Sequence, residues 1–230
     1  GGEGGGSEGG GGEGGGAKGS GEGVLHKFPF IWDTVWDLQR ALDYLETRED
    51  IDAHRVGAFG ISLGGMQVWF WAAVDERVSA PAPAIGVQHF GYALREQCWQ
   101  ARVGSLQPFF DELSHERGVP TGTACVRDAW DKLLPGLVEA FDAQHSLACI
   151  APRPLLIANN AADPRCPRAG VEEAVGAARP AWGRHASRLE LIMDESVAAS
   201  PLPASEWKRG HVITPAMWGE IDTFMQHNVR

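Results

Sequence analysis

The chain lacks any run of about 18 apolar residues, the length that a helix needs to cross a bilayer. Its N-terminus also lacks the apolar core of a secretory leader. The reading points to an intracellular, cytoplasmic protein, or a plastid one if a leader has been lost. None of the four cysteines (Cys98, Cys125, Cys149, Cys166) forms a C-x-x-C pair. Reduced thiols are expected, with no metal and no other cofactor. Positive charge is scarce: 20 Lys and Arg stand against 30 Asp and Glu, for a net charge of -10. A polyanion would be repelled, which argues against nucleic acid or an anionic membrane surface as partner.

Glycine is plentiful but concentrated. Fifteen of the 30 glycines lie in residues 1–23, mixed mainly with Glu and Ser. Such a segment has no apolar surface to offset its ordering entropy, so disorder is expected there. Residues 24–230 remain, enough for one α/β domain with its own core.

Apolar residues at Ile31, Val35, Leu38, Leu42 and Leu45 recur at helical spacing and predict a helix over about 32–48. Trp32 and Trp36, and further on Trp69 and Trp71, also fall at helical spacings and read as core. Val56 to Phe59 reads as a short buried strand, with a helix from Leu63 to about Ala73. Val78 to Ile85 could be a strand, but Pro81 and Pro83 weaken it. Asp75-Glu76-Arg77 reads as a solvated turn. Residues 90–148 hold helical patches separated by Gly and Pro and no good strand, which suggests a helical insertion. Strands follow at 154–158 and 189–193, with a helix at 171–178 between them. Thr214 can cap a final helix that has Pro215 at its first position. Alternating strands and helices predict a mostly parallel sheet with helices on both faces. In such sheets chemistry sits at the carboxyl ends of the strands.

The most informative stretch is Gly60-Ile61-Ser62-Leu63-Gly64, a Gly-x-Ser-x-Gly motif between the first strand and its helix. That context is the sequence form of a nucleophile elbow, in which a sharp turn exposes a serine hydroxyl. The glycines are expected where a Cβ would clash. A serine needs a base, and the base needs a group to orient it. His211 follows the strand at 189–193 and precedes the capped helix, at the carboxyl edge. His185 lies at the amino edge, and His227 lies inside the last helix. Asp163 follows the strand at 154–158, again at the carboxyl edge; Asp194 is the alternative acid. The catalytic set read here is Ser62, Asp163 and His211, with the Leu63 N–H as one oxyanion donor. Cys166 reads as a buried spectator thiol. The strand that would supply a second oxyanion donor is not found ahead of the elbow.

Several segments together resemble a known family. They are Gly60-Ile61-Ser62-Leu63-Gly64-Gly65-Met66, Ala151-Pro152-Arg153-Pro154-Leu155-Leu156-Ile157, Asp163-Pro164-Arg165-Cys166-Pro167 and Gly210-His211 with Thr214-Pro215-Ala216-Met217. Phe30 to Leu38 and Asp43 to Asp52 add to the likeness. The segments resemble plant and algal α/β-hydrolases, which are similar to dienelactone hydrolases and to the catalytic domain of prolyl oligopeptidase-like (S9) enzymes. The resemblance runs from about 28 to 228. It implies an α/β-hydrolase fold, a serine hydrolase acting on small-molecule carboxylic esters through an acyl-enzyme, and the same Ser62, Asp163 and His211. Two departures stand out: a glycine tract replaces the family's N-terminal strands, and the loop from Glu195 to Gly210 is longer. An S9-like peptidase and a truncated, non-catalytic hydrolase domain are the alternatives.

Overall fold

A computed structural model describes residues 30–197 and 210–229. The glycine tract and most of the loop from Glu195 to Gly210 lie outside the described residues. Four strands, β1 (Val56–Ile61), β2 (Val78–Ala84), β3 (Leu155–Asn160) and β4 (Leu189–Asp194), form a parallel sheet in the order β1-β2-β3-β4. Parallel neighbours require crossovers, and helices supply them. Helix α1 (Phe30–Glu46) precedes the sheet, α2 (Leu63–Val74) joins β1 to β2, and α8 (Arg168–Ala178) lies between β3 and β4. Helix α9 (Pro215–Asn228) closes the chain.

The alternation of side chains along β3 separates two cores. Leu155 and Ile157 join Ile31, Trp69, Val171 and Ala174 on one face. Leu156 and Ala158 join α9 through Met217, Ile221 and Phe224 on the other. Ala80, Ala82 and Ala84 of β2 also face α9, and their small side chains let that helix approach closely.

Pro81 and Pro83 do not prevent β2 from forming, and parity explains why. In a strand, successive residues turn their N–H and C=O groups to opposite neighbours. Ala84 C=O accepts from Ser62 N–H on the β1 side, at 2.9 Å, while Ile85 N–H donates to Ala158 C=O on the β3 side, at 2.8 Å. Pro81 and Pro83 share the parity of Ile85, so both missing N–H groups fall on the β3 side. Pairing with β1 accordingly runs the whole strand, whereas pairing with β3 is reduced to Ala84 opposite Ala158.

Between β2 and β3 come five α-helices, short 3-10 and π turns, and no strand: α3 (Phe90–Arg95), α4 (Gln100–Val103), α5 (Gln107–Arg117), α6 (Thr123–Leu133) and α7 (Ala143–Ser146). No helix among the described residues is long and apolar enough to cross a membrane.

Two expectations are corrected. Trp69 and Trp71 are buried, but Trp32 and Trp36 are about half exposed. The core face of α1 is Ile31, Val35 and Leu42, and each of these tryptophans sits one residue, about 100°, round from it. Asp75 is not a solvated turn residue. It is buried at the end of α2 and receives hydrogen bonds from Trp71 Nε1 (3.2 Å), Arg77 Nε (2.8 Å) and Arg77 Nη2 (2.7 Å).

Candidate active site

Ser62 stands between the end of β1 and the start of α2 with φ 56° and ψ −115°. A positive φ is uncommon for a non-glycine residue, and the surroundings of the turn enforce it. A Cβ on Gly60 would lie 2.3 Å from Gly64 O, and one on Gly65 would lie 2.7 Å from Ala84 O. Gly64, the last residue of the motif proper, would meet nothing within 4 Å. The crowded glycines are therefore 60 and 65, one residue off the motif's symmetry. Ser62 occupies the N-cap of α2 but makes no side-chain cap bond, which leaves its hydroxyl for another partner. Its backbone is held from both sides, by Ala84 O and by Met66 N.

That partner is His211. Ser62 Oγ and His211 Nε2 are 2.6 Å apart, and His211 Nδ1 lies 2.8 Å from Asp163 Oδ2. Both Asp163 and the ring of His211 are almost fully shielded from solvent. The two residues reach each other because their loops touch at one point. A Cβ on Gly210 would lie 2.0 Å from Ala162 O, so only glycine permits this crossing of the His211 loop over the acid loop.

The acid loop begins at Ala161, directly after β3, which runs two residues further than its apolar pattern indicates. Asp163 Oδ1 accepts from Arg165 N–H (2.8 Å) and Cys166 N–H (3.3 Å). The other carboxyl oxygen is thereby left to face the imidazole. Two buried asparagines at the end of β3 brace the loop. Asn160 Oδ1 accepts from Ala162 N–H (2.9 Å), and Asn159 Nδ2 donates to Cys166 O (2.9 Å). Asp194, the alternative acid, does not meet His211. It is engaged by Thr214 Oγ1 and Ser196 N–H, and hydrogen bonds from these two hold its carboxyl below the usual range.

The Leu63 N–H opens α2, where backbone donors have no intrahelical acceptor and the helix dipole is positive. The residue itself is exposed at the mouth of the turn. Cys166 is fully buried beside Asp163. Burial first, and then the charge of Asp163, pushes its thiol well above the ordinary range. Asp163, Cys166 and His211 bring potential ligand atoms within 4.8 Å of one another. Both ring nitrogens of His211 are engaged, by Ser62 Oγ and by Asp163 Oδ2.

A groove of about 590 Å³ lies elsewhere, lined by Trp32, Trp36, Phe70, Val74, Leu137 and Phe141 among others. Phe70 and Val74 lie 8 and 12 residues along α2 from Ser62, about 12 and 18 Å at 1.5 Å per residue. The groove is thus not where Ser62 and His211 meet.

Sequence reasoning missed the polar frame around these residues: Asn159, Asn160, Arg102 and the buried pair His89–Asp142 (2.9 Å). Polar residues closing an apolar strand at 159–160 were the one available signal. Arg102 carries no signal in its own neighbourhood.

Comparisons with known proteins agree with this architecture. No protein-family model matches the chain. A curated relative, "Putative hydrolase YtaP" of Bacillus subtilis (strain 168), is 27% identical over 139 residues, 60% of this chain and 38% of that protein. Among solved structures, a glucuronoyl esterase from Solibacter usitatus superposes with a TM-score of 0.56 at 18% identity, covering 87% of this chain and 49% of that one. A carbohydrate esterase family 15 glucuronoyl esterase from Caldicellulosiruptor kristjansonii gives 0.53 at 18% identity, with 86% and 50% covered. An acetyl xylan esterase from Paenibacillus sp. R4 gives 0.52 at 18% identity, with 86% and 52% covered. At such identities the likeness defines the fold, and the chain has the α/β-hydrolase fold. It spans about half the length of these structures and just over a third of the curated relative.

Proposed function

We propose that this chain is a serine hydrolase of small-molecule carboxylic esters. One observation carries the reading: an unbroken line of hydrogen bonds from Ser62 Oγ through His211 to Asp163, across three loops at one edge of the sheet. His211 Nε2 takes the hydroxyl proton as Ser62 Oγ attacks the ester carbonyl. Asp163 holds the ring in the tautomer that leaves Nε2 free to accept, and stabilises the imidazolium that forms. The Leu63 N–H donates to the developing oxyanion. His211 then returns the proton to the departing alkoxide, which leaves as an alcohol. A water, deprotonated by the same nitrogen, cleaves the acyl-enzyme. In this reading residues 24–230 form the hydrolase unit, and the helices within 90–148 are an insertion. The closer kinship with plant and algal dienelactone hydrolase-like proteins rests on the motifs quoted above, and the esterase names of the superposed structures support the substrate class.

The test is turnover of p-nitrophenyl acetate by the purified chain. We expect Ser62→Ala to reduce kcat at least 10³-fold, the scale on which the loss of a triad member acts. Turnover unchanged in Ser62→Ala would overturn the proposal. Faster cleavage of a prolyl p-nitroanilide than of the ester would move the assignment to an S9-like peptidase. A second reading, a non-catalytic hydrolase domain, is favoured by one observation: among the described residues β1 pairs with β2 alone. Ser62-dependent turnover by a cooperatively melting chain would exclude it.

A further inference from the structure

Arg102, on the short helix α4, is buried yet has no carboxylate against its guanidinium among the ion pairs of the described residues. A buried charge without a direct counter-ion is costly, so the contacts it does make merit close reading. Its Nε donates to Arg165 O at 2.7 Å, and its Nη1 donates to His89 O at 3.2 Å. Nη2 has no hydrogen-bond partner among the described residues. The guanidinium lies over Phe90, 5.0 Å from the ring centroid, and over Trp130 at 5.8 Å.

Both carbonyls belong to loops that follow strands at the reactive edge. Arg165 lies in the acid loop, where its own N–H donates to Asp163 Oδ1. His89 lies in the loop after β2, where its ring is fixed by Asp142. We infer that Arg102 is a positioning residue, pinning the acid loop from behind through Arg165 O so that Asp163 Oδ2 is presented to His211. This rests on the proposed function, because it assigns work to the same Ser62–His211–Asp163 line. Asn159 pins the next carbonyl along, Cys166 O, from the β3 side. The loop is thus held at two successive peptides by two buried side chains, and Arg102 is the one supplied by the helical segment. Burial pulls the guanidinium's affinity for its proton down, while the nearby carboxylates of Asp142 and Asp163 pull it back.

The experiment compares wild type with Arg102→Met, Arg102→Lys and, as a control, Leu42→Ala, which opens a core cavity in α1 remote from the site. Three quantities are read: kcat and KM on p-nitrophenyl acetate, the melting temperature, and the downfield proton resonance of His211 Nδ1–H bonded to Asp163. Arg102→Met is expected to lower kcat about tenfold to a hundredfold, the scale of a small misplacement of a reacting group, with KM within threefold and the resonance shifted or broadened. Arg102→Lys, which keeps one donor and the charge, should fall between Arg102→Met and wild type. Leu42→Ala should melt lower with kcat within twofold and the resonance unmoved. If Arg102→Met will not fold, Arg102→Lys carries the test alone, by a smaller kcat loss that still exceeds threefold and by a shifted or broadened resonance. A kcat within threefold of wild type and an unmoved resonance would overturn the inference. So would an equal kcat loss in Leu42→Ala. Were wild type to lack Ser62-dependent turnover, the proposed function would fail, and the resonance alone would decide the positioning claim.

Discussion

At the scale of single residues, the site depends on a few places where no other side chain fits. Gly210 is one. A Cβ there would meet backbone, not a yielding side chain, so Gly210→Ala must separate the acid loop from the His211 loop. We expect kcat to fall about 10²-fold or more, with the melting temperature also lowered; steady-state kinetics and calorimetry check both. The elbow offers a sharper contrast. Gly64→Ala meets open space and should leave the melting temperature unchanged or raise it, because alanine favours a helix by up to about 1 kcal/mol over glycine. Gly65→Ala would press on Ala84 O and should lower it markedly. Equal effects of the two substitutions would contradict the turn geometry described. Asp163→Asn keeps the shape of the acid but permits the wrong imidazole tautomer. A loss of about 10⁴-fold in kcat with little change in KM is expected.

Elements are held together by fewer, better-defined contacts than the charge count suggests. Arg77 reaches from the turn after α2 to Asp43 and Glu46 of α1, at 2.8 and 2.9 Å, while gripping Asp75 with two nitrogens. The hydrogen bonds from Arg77 first, opposed by burial, hold the Asp75 carboxyl below its ordinary range. A carboxyl whose pKa is lower in the folded than in the unfolded chain adds stability above its unfolded pKa of about 3.9. That stability is lost as the pH falls through its folded value. Asp75→Asn should therefore cost about 1–2 kcal/mol at pH 7, a range discounted because Arg77 is partly solvated. The gap from wild type should narrow toward pH 3; urea midpoints at the two pH values measure it. A gap of constant size would show that the charge of Asp75 is not what matters. At the other end of the chain, Thr214 caps α9 by accepting from Met217 N–H at 3.2 Å. Its replacement by Ala should cost about 1 kcal/mol.

The scale of the element is also where the sequence is most and least legible. Helix α1 and strand β3 are readable because their apolar periods are local properties. The positions of Ser62, Asp163 and His211 at one sheet edge are readable because each lies in the segment that follows a strand and precedes a helix, and parallel strands share a direction. The tolerance of β2 for Pro81 and Pro83 is not readable, because it depends on which neighbour each missing N–H faces. The exposure of Trp32 and Trp36 is hidden for a similar reason. Apolar spacing marks a face of a helix, but the width of that face is set by what packs on it. Arg102 is invisible in sequence, since its meaning lies in carbonyls 63 and 13 residues away.

For the whole molecule, two cores on opposite faces of one four-stranded parallel sheet hold the loops of one edge in register. Helix α9 and its small-residue seat on β2 cover one face; α1, α2, α8 and the helices between β2 and β3 cover the other. The hydrogen-bonded line from Ser62 through His211 to Asp163 crosses from the first strand to the loops beyond the third and fourth, so its geometry reports on the entire sheet. The most direct measurement of the central claim is the intact mass of the chain after treatment with a fluorophosphonate, followed by mapping of the modified peptide. The account predicts a single adduct on Ser62, formed in wild type and absent from both Ser62→Ala and unfolded protein. An adduct on another residue, or none on a folded chain, would contradict it.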